Sequence, residues 1–173
     1  MSPLRHFIPL ECGGEPRNFA ELEELRMADT RLTLDEVEQM AFAALRRSGA
    51  SATQASALAA GVAAAERDGI SSHGLVYVPT YCLHLQCGKV DGRAEPVLAQ
   101  PKPAACRVDA ASGFAHPAIK MGFAALIPSA RELGCASLAI NNSYNCGVLA
   151  FHTEQLAQEG LLGLGFTNAP ASI

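Results

Sequence analysis

The runs "ACRVDA" (105–110), "ASLAIN" (136–141) and "LLGLGFTN" (161–168), separated by two helix-length segments, decide how this chain folds. Short apolar runs alternating with segments of helical period read as strand, helix, strand, helix, strand, the order that builds an α/β layer. The first helix is expected from about Pro117 to Leu133 and the second from about Gly147 to Glu159. Pro117 suits a first helical turn, Gly134 and Gly160 suit helix ends, and Pro128 predicts a kink.

Upstream the period is helical throughout. Thr33 and Glu36 read as a capping box ahead of Leu34, Val37, Ala41, Ala44 and Leu45, an apolar stripe closed by Gly49, so a helix is expected over 34–48. Ser51 with Gln54 reads as a second box opening "QASALAAGVAAAERD" (54–68). A third helix is expected to start near Tyr77, with Pro79 in its first turn, and to stop at Gly88. The stretch "KVDGRAEPVLAQPKPA" (89–104), with Asp91-Gly92 and three prolines, reads as a connection. The expected organisation is therefore an irregular extension over 1–30, a helical lobe over 31–100 and an α/β domain over 101–173, with Met27 as an alternative start.

Composition sets bounds on partners. The 173 residues are 49% apolar and 17% charged, a globular balance. Net charge is -4 with a pI near 5.7, and lysines and arginines do not cluster, so neither nucleic acid nor an anionic membrane surface is an expected partner. No segment offers the ~20 consecutive apolar residues of a membrane span, and Arg5, His6 and Glu11 interrupt the N-terminus where a secretory signal would be apolar. Six cysteines lie in apolar periodic segments without C-x-x-C spacing; free, mostly buried thiols in a reducing, cytoplasmic compartment are expected.

Standard nucleotide cradles are absent. No G-x-G-x-x-G follows the first strand and no G-x-x-x-x-G-K-[ST] occurs anywhere, while the glycines of "GLLGLG" (160–165) fit close packing in a strand. Histidines 6, 73, 84, 116 and 152 lack H-x-x-x-H or H-E-x-x-H spacing, so no metal is expected. His73 stands apart by its context, "RDGISSHGLVYVPTY" (67–81), at the break between two helices. It reads either as a first-turn residue behind a capping Ser71 or Ser72, or as a group that exchanges protons near neutral pH.

The segment "AERDGISSHGLVYVPTYCLHLQCGKV" (65–90), the turn "INNSYNCG" (140–147) and "GLLGLGFTNAP" (160–170) together resemble the malate/L-lactate dehydrogenase-like family of NAD(P)-dependent oxidoreductases, from about Met27 to Ile173. The resemblance implies a helical lobe followed by an incomplete, non-Rossmann α/β cofactor-binding domain, with NADP or NAD as cofactor. It implies hydride transfer between that cofactor and a small 2-oxo acid, or alternatively a cyclic 2-imino acid, in a homodimer. His73 would be the acid in reduction, with Ser72 orienting it. Asn145, Cys146, Gly147, Val148 and Leu149 would be the cofactor-contacting turn at a helix N-terminus.

Three departures from the family pattern stand out. Tyr77 occupies the substrate-contacting position where members commonly carry arginine, and Asn145 occupies one where many carry histidine. Members are also roughly twice as long, so this chain is expected to be a truncated polypeptide, with a catalytically silent fragment that associates with a full-length homologue as the alternative.

Overall fold

A computed structural model describes residues 31–168. The extension expected over 1–30, the alternative start at Met27, His6, Cys12 and residues 169–173 lie outside the described residues. Residues 32–168 belong to one compact unit.

Three helices make the first layer: α1 (Leu34–Arg47), α2 (Ala52–Arg67) and α3 (Val78–Gln86). The capping box at α1 is complete: Glu36 N–H donates to Thr33 Oγ1 at 3.2 Å, and Thr33 N–H donates to the Glu36 carboxylate at 2.8 Å. At α2 only half of the expected box forms. Gln54 N–H donates to Ser51 Oγ at 3.2 Å, but the Gln54 side chain does not return to Ser51, whose N–H donates to Gly92 O at 2.7 Å. The Gln54 amide is engaged elsewhere: Nε2 donates to Ala94 O at 2.8 Å, and Oε1 accepts the Phe114 N–H at 3.0 Å. Val37, Ala41, Leu45, Leu58, Val62, Val78, Tyr81 and Phe114 bury their side chains between these helices.

The second layer is a sheet ordered β1-β2-β3, from β1 (Val97–Lys102), β2 (Ala105–Asp109) and β3 (Ser137–Asn141). β2 and β3 pair in parallel, Ala105 opposite Ser137 through Asp109 opposite Asn141, joined by the crossover helix α4 (Ala115–Leu133). Val108, Ala110, Leu138 and Ile140 pack against Ala118 of α4. α4 starts two residues before the expected Pro117, because the Gln54 amide caps the Phe114 N–H from another helix, and it runs on through Pro128. α5 (Leu149–Gln158) follows β3.

Two strand expectations are corrected. β1 lies inside the stretch read as a connection: it pairs antiparallel with β2, with an irregularity between Ala99 and Lys102, and all six of its residues are exposed. An edge strand tolerates proline, and full exposure removes the alternation that marks a strand in sequence. Conversely, residues 161–168 form no strand. Leu162, Leu164 and Phe166 are 93%, 77% and 89% exposed, and the segment joins no ladder, without which apolar alternation does not make a strand. Of the described cysteines, all free thiols, only Cys106 is buried; Cys87 and Cys135 sit exposed at helix ends.

Gln54 is fully buried and satisfies two backbone groups of other elements. Gln54→Ala should lower the unfolding free energy by about 2–5 kcal/mol, from two buried partners left unpaired. Urea denaturation checks this against the exposed Gln39→Ala, which should change it by less than about 0.5 kcal/mol.

Candidate active site

α2 ends at Asp68, and two 3₁₀ turns, Ser71–His73 and Leu75–Tyr77, carry the chain into α3. Their geometry is set by Glu66, whose carboxylate accepts the Leu75 N–H at 2.7 Å and lies so close under Gly74 that any Cβ there would collide with it. Neither serine caps a helix. Ser72 Oγ lies 3.0 Å from His73 Nδ1, so the hydroxyl orients the ring, and His73 is half-buried. Arg67 is engaged by Asp68 at 2.8 Å and by Glu154 of α5 at 2.6 Å.

The turn between β3 and α5 is built by its own side chains. Asp109 accepts the Ala111 N–H at 2.8 Å and Asn142 Nδ2 at 3.0 Å, which holds its carboxyl below the usual range. Asn145 Oδ1 accepts the Gly147 N–H at 2.5 Å, and the Cys146 carbonyl bonds His152 Nε2 at 2.8 Å. Val148, the residue before α5, gives the helix no side-chain cap, so its first-turn amides keep a donor surface of the kind that phosphate oxygens fit. Asn145 and Gly147 satisfy each other, which leaves Val148 and Leu149 as the expected turn residues nearest those amides.

An aromatic chain joins the two segments. The His73 and Tyr77 rings lie 6.3 Å apart and within 14° of parallel, Tyr77 meets Tyr81 edge-on at 4.8 Å, and Tyr81 meets Tyr144 at 6.2 Å. Tyr144, the residue before Asn145, also contacts Phe114 at 5.6 Å and bonds His84 Nδ1 through its hydroxyl at 2.5 Å. Tyr144 and His84 escaped the sequence reading. The signal was there: the chain's three tyrosines are 77, 81 and 144, the first two one helical turn apart and the third inside the turn motif.

Beneath the turn lies a buried histidine pair. His116 of α4 and His152 of α5 sit with ring centroids 5.1 Å apart, and His116 Nε2 would stand 3.2 Å from a Cβ on Gly147. Burial, then the neighbouring His152, pushes the His116 pKa down to about 3; burial also pushes His152 down, opposed by its bond to the Cys146 carbonyl. His116 Nδ1 has no protein partner. Among the described residues no group of three metal-ligating side chains converges. A depression of about 550 Å³ lies elsewhere, on the sheet beside Arg107, Asp109 and Asn142, and shares no residue with His73 or with 145–149; its one carboxylate is already engaged in bracing the turn.

Comparison with known proteins places this architecture. The family model described as malate/L-lactate dehydrogenase matches residues 32–173, and the chain belongs to that family. It is 40% identical over 142 residues to a (2R)-3-sulfolactate dehydrogenase (NADP(+)) of Chromohalobacter salexigens, covering 82% of this chain and 42% of that protein. It is 39% identical over 139 residues to a Delta(1)-pyrroline-2-carboxylate/Delta(1)-piperideine-2-carboxylate reductase of Pseudomonas putida, covering 80% of this chain and 41% of the relative. The crystal structure of malate dehydrogenase from Entamoeba histolytica superposes with a TM-score of 0.71 at 23% identity, over 76% of this chain and 37% of that one, and so shares the fold. The chain thus spans about two-fifths of the length of these relatives. No helix among the described residues is long and apolar enough to cross a membrane.

The histidine pair predicts a pH dependence of stability. Unfolded, each imidazole takes up a proton near its ordinary value of 6.5; folded, His116 stays neutral until about pH 3. The unfolded state therefore binds more protons below 6.5, and stability falls with falling pH across the window from about 6.5 to 3. The slope from His116 alone is about 1.4 kcal/mol per pH unit. Urea midpoints measured at pH 7.5, 6.0, 5.0 and 4.5 should show this slope, and His116→Gln should flatten it by about that amount.

Proposed function

We propose that this chain carries the acid–base group and the cofactor turn of an NAD(P)-dependent oxidoreductase acting on a small 2-oxo acid, with a cyclic 2-imino acid as the alternative substrate class. The helical lobe of residues 31–100 presents His73, and residues 101–173 form the first part of the cofactor domain. The observation that carries this reading is Ser72 Oγ held 3.0 Å from His73 Nδ1: it leaves Nε2 as the ring nitrogen that faces a substrate. The similarity to an NADP-named sulfolactate dehydrogenase and to pyrroline-2-carboxylate reductases supports the same chemistry.

A nicotinamide supplies a hydride when bound. The uncapped N-terminus of α5, with Val148 and Leu149, would hold its phosphate groups, above the buried His116 and His152 pair. His73 gives a proton to the carbonyl oxygen or imine nitrogen as the adjacent carbon is reduced, and takes one back in oxidation. Buried Tyr81 and Phe114, with Tyr77 and Tyr144 packed against them, would exclude water on one side of that exchange.

A second reading, a silent fragment that docks on a full-length homologue, is favoured by one observation: Leu162, Leu164 and Phe166 project almost fully exposed from a segment outside any ladder. A homodimer would cover the same surface.

Titration with NADPH and NADH, followed by nucleotide fluorescence and thermal melting together, separates the readings. Binding at 100 times Kd should add about 2.7 kcal/mol to stability. His73→Ala should lower kcat by about 10²–10⁴-fold while nucleotide affinity stays within about threefold. A folded chain that takes up no nucleotide speaks for the docking fragment.

A further inference from the structure

Three large apolar side chains of one short segment stand almost wholly in solvent: Leu162, Leu164 and Phe166 are 93%, 77% and 89% exposed. The residues between them face the other way. A Cβ on Gly163 would lie 2.8 Å from Leu156 Cδ1, one on Gly165 would lie 3.4 Å from Thr153 Cγ2, and Thr167 Oγ1 sits 4.0 Å from Cys146 Sγ. The chain therefore runs back along α5, from Leu156 towards Cys146. Over that path four residues of strand reach about 13 Å and ten residues of helix rise about 15 Å, so the segment is extended, its glycines inward and its apolar row outward.

The backbone of this segment is equally unpartnered. Among the described residues, none of 162–168 takes part in a backbone–backbone hydrogen bond, and residues 160–168 carry no charge. Charged side chains are a common means of keeping an exposed edge from pairing, and here there are none. The pattern also reads alike in both directions from Leu164, with glycine at 163 and 165 and a large apolar residue at 162 and 166. Antiparallel pairing with a second copy, about a two-fold axis through Leu164, sets Leu162 opposite Phe166 and Leu164 opposite its own counterpart. All six side chains then share one face, where cross-strand apolar pairs stabilise a ladder. Together with the two strand edges they cover an area on the order of 1,000 Å², the lower limit of a specific interface.

We propose that residues 161–168 are a self-association strand, whose ladder is completed by the same segment of a second copy of this chain. The contact is isologous and closes at two chains. It explains a strand period in a segment that joins no ladder within one chain. An interface of this size gives a reversible dimer with a Kd of about 10 µM. Thr167 rests on Cys146, so the paired strand borders the turn 145–149.

Sedimentation velocity on the 173-residue chain, from about 1 to about 300 µM, should show the monomer giving way to a dimer. Leu164→Lys should raise Kd at least about thirtyfold, because two like charges then face each other across the axis. Leu164 is exposed in the single chain, so the variant should melt as the dilute parent does. Phe166→Ser should raise Kd at least about tenfold, and Leu83→Lys, on the exposed side of α3, should leave it within about twofold. The register is read by cross-linking in a chain that also carries Cys87→Ser and Cys135→Ser. There Leu164→Cys should link to its own copy under mild oxidation, while Leu162→Cys, about 13 Å from its counterpart, should not. A chain monomeric at about 300 µM, a dimer unmoved by Leu164→Lys, or a link at 162 in preference to 164 overturns the pairing. None of these outcomes bears on the oxidoreductase reading, which nucleotide titration decides separately.

Discussion

The side chain of Gln54 is the joint on which the described structure turns. It is polar, fully buried, and emerges from the most alanine-rich helix of the chain, so its environment tolerates it only because both ends of the amide are satisfied. Through Oε1 it fixes Phe114, the N-cap of α4, the crossover helix that sets β3 beside β2; through Nε2 it fixes Ala94, three residues before β1. Phe114, held by that bond, fills the helical core and gives Tyr81 and Tyr144 an edge to rest on. The placement of the candidate site is a consequence of this one brace.

Where a local rule had no competitor, the sequence was legible. α1, α3, α4, α5 and the parallel pair β2 and β3 follow from capping residues, helix-ending glycines and period, because each of those signals acts over three or four residues. Legibility failed where a distant group captured a local one. Gln54 looked like the closing half of a capping box, and only the fold brings Phe114 and Ala94 to it from 60 and 40 residues away. β1 was hidden by Pro101, by the prolines that flank it and by its full exposure, and 161–168 looked like a strand because apolar alternation is necessary for a ladder but does not supply one.

The candidate site divides the same way. His73 and Ser72 are neighbours in the chain, so their contact could be expected, and the 145–149 turn announced itself by glycine and asparagine. His84 and Tyr144 meet across 60 residues, and His116 and His152 across two helices, so neither pairing has a periodic trace. Tertiary proximity of polar groups is the part of a site that a single sequence records least.

Neutrality is the common character of these groups, and it has a chemical consequence. His116 is held uncharged by burial, the phenols of Tyr81 and Tyr144 are held protonated, and Arg67 is balanced by two carboxylates. Neutral groups held in place in this way present fixed dipoles, which need no reorganisation when a charge moves beside them.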